Sequence, residues 1–179
     1  MKKILVLFMV SVLILTGCTL MGGPKSEVEK FLNKYKNNDT VVVNELNEYL
    51  NTQELDEDEL KDYREIYLRQ YSNMDYKIKD EKIDGNKATV TVEVSVFDYY
   101  KANKDAGDYF TANQADFVDD DGDVDFGKYF TYKIKKLLDT TDKVTYTLDI
   151  KLDKNDNGDW EIESLTEEQL TKLHGTYEY

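Results

Sequence analysis

The segment Ile83-Asp84-Gly85-Asn86-Lys87-Ala88-Thr89-Val90-Thr91-Val92-Glu93-Val94-Ser95-Val96 decides the fold class. Ala88, Val90, Val92, Val94 and Val96 alternate with Lys87, Thr89, Thr91, Glu93 and Ser95. Successive strand side chains point to opposite faces, so a period of two reads as a strand with one buried face. Asp84-Gly85 just before it is a hairpin turn signal, because glycine takes the positive φ that tight hairpins need. Tyr76 and Ile78 begin the strand that enters this turn, ending at Ile83. The alternation returns downstream. Val144, Tyr146, Leu148, Ile150 and Leu152 are set against Lys143, Thr145, Thr147, Asp149 and Lys151. Asn155 to Gly158 reads as a turn, and Trp160 with Ile162 marks a last strand.

Helical periods come first in the chain. Val28, Phe31, Leu32 and Tyr35 fall at i, i+3, i+4 and i+7, and Ser26 with Glu29 ahead of them has the spacing of a capping box. Asn37-Asn38-Asp39 ends that helix. Thr40 to Leu50 reads as a second helix, against the β-branched run Val41-Val42-Val43. Leu55 to Met74 carries Leu60, Tyr63, Tyr67, Tyr71 and Met74 on one face, with Asp56 to Glu59 at the end where the helix dipole favours acids. Thr166 and Gln169 open a final short helix bearing Leu170 and Leu173, stopped by Gly175. His174, the one histidine, sits at that stop, where a cation suits the dipole. Residues 99–141 are too many for a structureless loop, so the sequence predicts a helical turn near Ala102 to Ala106 and a helix from Phe126 to Leu138. Helices followed by antiparallel strands make an α+β domain with helices packed on one sheet face and a helical insertion between strands.

Outside that domain, the first residues set the compartment. Lys2 and Lys3 precede Ile4 to Leu15, a run that is apolar apart from Ser11 and too short to span a bilayer comfortably. The run ends in Leu15-Thr16-Gly17-Cys18. That tetrapeptide in that position resembles the lipobox of bacterial lipoproteins. The resemblance implies a signal peptide over 1–17, a diacylglyceryl group on the Cys18 thiol and cleavage before it. Two acyl chains suffice for stable anchoring where one does not. The implied location is the extracytoplasmic face of the cell membrane, with 18–24 as a short lipidated tether and 25–179 as a single domain. The competing readings are an ordinary secretory signal and a buried free cysteine.

The leading helices 26–35 and 55–74, the Ile83-Asp84-Gly85-Asn86 hairpin into Ala88–Val96, and the closing Asn157-Gly158-Asp159-Trp160-Glu161-Ile162 resemble the nuclear transport factor 2-like fold. The chain looks most like uncharacterised lipoproteins of Gram-positive bacteria that carry such a domain. The resemblance implies a curved sheet closing into a cone, with the insertion 99–141 as a departure from the minimal fold. Domains of that superfamily often pair through the outer sheet face, which makes a homodimer a candidate assembly. The superfamily includes dehydratases, isomerases and non-catalytic binding domains, so fold analogy does not choose a function.

Composition narrows the classes. With 37 acidic against 23 basic residues, a formal charge of −14 leaves no basic surplus for nucleic acid. One cysteine excludes an intramolecular disulfide framework and a multi-cysteine zinc site. With 14 tyrosines, 7 phenylalanines and 1 tryptophan, the chain is too aromatic for a disordered segment.

Tyr63, Tyr67 and Tyr146 on the inward faces, with Tyr99, Tyr100 and Tyr109 in the insertion, are the candidate ligand-binding residues. Tyrosine joins apolar area to a polar tip, which suits sugar or peptide recognition, and it packs cores for the same reason. Asp119, Asp121, Asp123 and Asp125 alternate in an insertion holding eight aspartates between Asp105 and Asp125, and are the candidate Ca²⁺ ligands. Val124 stands where a calcium loop of the helix-loop-helix type needs glycine, and clustered like charges usually remain solvated. Asp153, Asn155, Asn157 and Gly158 match the start of such a loop, but position twelve is Ser164 and the flanks are strands, so a hairpin turn explains them. No paired nucleophile and base is evident, which leaves no assigned catalytic residue.

The favoured reading is a non-catalytic, surface-anchored protein that binds an extracytoplasmic ligand or protein. The alternatives are an isomerase or dehydratase on the same fold and a calcium-dependent surface module. A calcium-dependent module melts at a higher temperature in millimolar Ca²⁺ than in chelator; identical melts end that reading.

Overall fold

The structure, a computed structural model, describes residues 22–179. Its architecture is α+β, with six helices and one four-stranded antiparallel sheet among the described residues. Strand β1 (Asp75–Asp84) pairs with β2 (Lys87–Phe97), β2 with β3 (Lys143–Lys154), and β3 with the short β4 (Trp160–Ile162). The order β1-β2-β3-β4 is a meander. The register sets Val90 opposite Ile150, Val92 opposite Leu148 and Val94 opposite Tyr146, so the two alternating runs bury the same face. Gly85 and Asn86 form the two-residue turn from β1 to β2, and Gly85 takes φ +60 at its first position. The strand pairing slips at Ile78/Asp80, a bulge that places Lys79 out of register.

Helix α1 (Pro24–Lys36) begins earlier than the Ser26–Glu29 spacing predicts. Gly23 is the N-cap, Pro24 holds the first turn, and no side chain caps the end. Proline fixes φ at a helical value and needs no donor there, so it outcompetes Ser26 as the start. The helix therefore takes up the last residue of the expected tether. Helix α2 (Thr40–Asn51) forms despite its valines, because Asp39 caps the Val41 N–H and the helix buries Val42, Leu46, Tyr49 and Leu50. Helix α3 (Glu57–Ser72) opens with a reciprocal Asp56–Glu59 box and ends before Met74.

Between β2 and β3 the chain forms α4 (Tyr99–Ala112), a short 3-10 turn at Gln114–Phe117, and α5 (Phe126–Asp139). α5 lies where the sequence predicts it. α4 is a full helix where a single turn is expected at 102–106. Asp98 caps it through the Lys101 N–H, and Lys101–Asp105 and Lys104–Asp108 pair along it. Helix α6 (Glu167–His174) has the expected Thr166–Gln169 box and ends at Gly175.

Two cores result. The larger lies between α1, α2, α3, α6 and the inner sheet face; the smaller joins Ile66 of α3 to Phe97, Tyr99, Ala102, Ile134 and Leu137 at the root of the insertion. Among the described residues no helix is long and apolar enough to cross a membrane.

The two cores meet at Gly175. Its φ is +69, and a Cβ there would sit 2.0 Å from the Phe97 carbonyl oxygen and 2.5 Å from Gln70 Nε2. Gly175→Ala is therefore expected to destabilise the fold by at least about 2 kcal/mol, because both the left-handed backbone and the close approach are lost. Urea melts of the variant and the wild type measure this, and equal midpoints refute it.

Candidate functional site

The inner sheet face is the natural place for a pocket in a helix-covered sheet, and side chains fill it. Val90, Val92, Val94, Val96, Ile150 and Leu152 have no exposure, and Leu148 is 1 % exposed. Val28, Leu32, Tyr35, Tyr67 and Tyr71 close over them from α1 and α3. Burial pushes the phenols of Tyr35, Tyr67 and Tyr71 well above their ordinary value, so they stay neutral. The face thus offers packing and hydroxyl groups but no charge.

A buried polar junction stands at one end of this core. Gln70 has no exposure, donates to the Phe97 and His174 carbonyls at 3.0 and 2.8 Å, and accepts from the Phe97 N–H at 2.8 Å. His174 is beside it, with Nε2 3.1 Å from the Tyr71 hydroxyl and its ring edge-on to Tyr67 at 5.1 Å. Burial lowers its pKa to about 4. The sequence places a cation here at the helix end; the structure places a neutral imidazole, because desolvation among tyrosine rings outweighs the dipole.

The six tyrosines of the sequence reading do not converge on one cavity. Tyr67 is in the main core, and Tyr99 is buried at the insertion root, its hydroxyl 3.2 Å from both Arg69 and the Ile66 carbonyl. Tyr63 stacks edge-on with Phe130 and accepts from Lys133 at 3.1 Å. Tyr146 donates to the Tyr177 carbonyl at 3.3 Å, and burial, with the nearby Asp98 charge adding to it, pushes its phenol up to about 12. Tyr100 packs on Tyr179 with ring centres 5.4 Å apart. Tyr109 lies at the far end of the insertion, stacked on Tyr132 at 4.9 Å.

A cleft of about 280 Å³ opens between the start of α4 and the end of α5, lined by Asp98, Lys101, Asp105, Lys136, Asp139 and Asp142, among others. Asp98 is 5 % exposed and accepts from the Lys101 N–H and from the Tyr179 hydroxyl. Lys101 Nζ lies 3.0 Å from Asp105 and 3.4 Å from Asp142, so one lysine is shared by two of the cleft's acids. The Asp98–Tyr179 contact joins residues far apart in sequence, and no local pattern announces it.

At the tip of the insertion, the four aspartates of the sequence reading build backbone structure. Asp119 Oδ1 accepts from the N–H groups of Asp121 and Asp123 at 2.9 and 3.0 Å, and Val118 bridges to Val124 across the turn. Asp125 caps α5 through Gly127 and Lys128. Among the described residues no group of three or more histidine, cysteine, aspartate or glutamate side chains is placed to hold a metal ion. Behind the turn, Phe110, Phe117, Tyr129 and Tyr132 stack with Tyr109, and Phe126 joins them while 70 % exposed. In the second calcium-like stretch, Asn155 Oδ1 accepts from Asn157 and Asp159, as an ordinary β3–β4 hairpin requires. Cys18 lies outside the described residues.

No family model and no curated protein matches the chain. Among solved structures, the chain is similar to ycdA of Bacillus subtilis subsp. subtilis str. 168, a protein assigned as a lipoprotein, at 15 % identity and a TM-score of 0.44. The similarity covers 87 % of this chain and 47 % of that one, so the chain spans about half of that structure's length.

The buried imidazole has a consequence in solution. Its folded pKa of about 4 is below the ordinary 6.5, so the unfolded chain binds a proton more readily. The stability it supports is full above about pH 6.5, falls as pH drops toward 4, and amounts to roughly 3 kcal/mol over that window. Melts of wild type and His174→Phe between pH 7 and pH 4 are expected to differ in slope, with the variant flatter. Parallel curves refute this.

Proposed function

We propose that the chain is a membrane-anchored extracytoplasmic lipoprotein whose folded part binds a ligand or a protein partner without turning it over. The anchor reading rests on the positive start, the short apolar run and Leu15-Thr16-Gly17-Cys18. The helices-first order, with one sheet face covered, supports a nuclear transport factor 2-like fold for the rest.

The observation that carries the binding reading is the filled sheet face. An isomerase or dehydratase on such a fold needs an open apolar cavity holding a carboxylate or histidine of tuned pKa. Here valine, leucine and isoleucine occupy that space, and His174 is locked against Tyr71 and Tyr67. Recognition is then left to the outside of the domain. Its most differentiated outer element is the α4–α5 insertion, with stacked rings and exposed acids at its tip.

The anchor is tested on the native product. Intact-mass analysis is expected to show a chain starting at Cys18 with a diacylglyceryl adduct, in the membrane fraction. Cys18→Ser is expected to abolish the adduct and the anchoring. An unmodified thiol on the wild-type chain overturns the proposal.

A further inference from the structure

The insertion differs from the rest of the surface in its clustered aromatic rings and acids. It packs on the body at its root and along one face of α3, through Tyr63–Phe130 and the Arg69 bonds to Tyr99 and the Thr140 carbonyl. Its outer half has an aromatic cluster of its own. Phe110 lies 4.4 Å from Tyr129, Phe117 lies 5.3 Å from Phe110 and 5.5 Å from Tyr132, and these rings form a small core remote from the two main ones. The acidic turn above them is fixed by backbone bonds from Asp119 to Asp123 at 2.8 Å and from Asp125 to Phe117 at 2.7 Å. Lys128 adds a bond to the Val118 carbonyl at 2.7 Å.

This ordered tip leaves apolar groups in water. Phe126 is 70 % exposed, and Val124 and Tyr109 are each 40 % exposed. Exposed apolar side chains on a segment tied down by its own hydrogen bonds and ring contacts are the anatomy of an anchor for a partner's pocket. Asp116, Asp119, Asp120, Asp121 and Asp123 are all exposed in the same segment, against the single exposed base Lys128. A predominantly acidic surface selects basic partners and speeds their encounter. The same charge repels anionic headgroups and the tip of a second copy of this chain.

The position of the arm agrees. The described chain begins at Gly22, and Lys25 N–H donates to Glu81 at 3.0 Å, which sets the start of α1 beside β1. Glu81 pairs with Val90, and the arm leaves β2 seven residues later, after Phe97. At about 3.3 Å per residue the root is roughly 23 Å along the strand from that contact. Four residues from Cys18 to Gly22 reach at most about 14 Å.

We infer that the tip of the α4–α5 insertion is a docking surface for a basic polypeptide that seats an apolar side chain or pocket against Phe126. This deepens the binding reading and rests on it. Attraction comes from the acids, and discrimination comes from Phe126, Val124 and Tyr109. A partner with charge alone, or with apolar surface alone, binds poorly.

The test uses the full-length lipidated protein in phosphatidylcholine vesicles. The probe is a peptide of lysine, leucine and phenylalanine; the controls are its glutamate counterpart and polylysine. The mixed basic peptide is expected to bind, with affinity that falls as salt rises, while both controls bind at least about tenfold more weakly. Phe126→Ser is expected to weaken binding about tenfold with an unchanged melting temperature, since that ring is largely outside the cluster. Joint replacement of Asp119, Asp120 and Asp121 by asparagine is expected to remove most of the salt dependence. Asp80, Glu93 and Asp149 on the sheet, replaced by their amides, serve as the charge-matched control and are expected to change nothing.

Equal binding by Phe126→Ser, an equal effect of the sheet control, or Phe126-dependent binding to anionic vesicles instead of the peptide overturns the inference. Peptide binding is scored separately from the mass of Cys18. An anchored protein with an inert tip refutes this inference alone, and a functional tip on an unlipidated chain refutes the anchor alone.

Discussion

The carboxamide of Gln70 is the point on which the rest of the arrangement hangs. One side chain saturates the N–H and C=O of Phe97 and takes the carbonyl of His174 as well. An amide has two donors and an accepting oxygen, and all are used in a place without water. The end of β2, the cap of α6 and the third helix are thereby locked together. Phe97 is the last residue before the insertion, so the same bonds set the direction in which the arm departs. Gly175 permits this closeness because a side chain there would occupy the oxygen of Phe97. Loss of either residue costs the buried backbone its partners, and unpaired buried groups are expensive.

The body and the insertion divide the work along physical lines. The body buries its aliphatic face and holds its one histidine among tyrosine rings that favour the neutral form. The insertion keeps a small aromatic core of its own, and its acids serve first as caps and turn-makers. Asp125 opens α5 and Asp119 shapes the turn, so these carboxylates have a structural use before any question of a ligand arises. The cleft near Asp98 is likewise knit internally, through Lys101 and Tyr179. Phe126 is the most exposed of the large apolar side chains among the described residues, ahead of Tyr179, Ile83 and Val41.

Much of this was legible in the sequence, for local reasons. The period-two runs at 88–96 and 144–152 identify two strands and their buried faces, and Thr166, Gln169 and Gly175 mark both ends of the last helix. Such signals need only neighbours in the chain. Ser26 misled because a proline two residues earlier is the stronger start. α4 was under-read because its small and polar residues give a weak stripe, and its stability comes from the Asp98 cap and from Ala102 and Ala106 fitting closely at the root. The state of His174 depends on Tyr67 and Tyr71, roughly a hundred residues away. Asp98 carries no local signal, because its partner, Tyr179, comes from the far end of the chain. The dispersal of the six tyrosines is a tertiary fact that no local pattern carries.

The slip in pairing near Lys79 has one more effect. β1 is an outer strand, and its backbone would otherwise present an orderly row of donors and acceptors to any neighbouring molecule. The displaced residue breaks that row, and Lys77, Lys79, Asp80, Glu81 and Lys82 set charges of both signs along it. Exposed strand margins are the usual route by which identical chains zip into fibres. This margin is a poor template for such zipping.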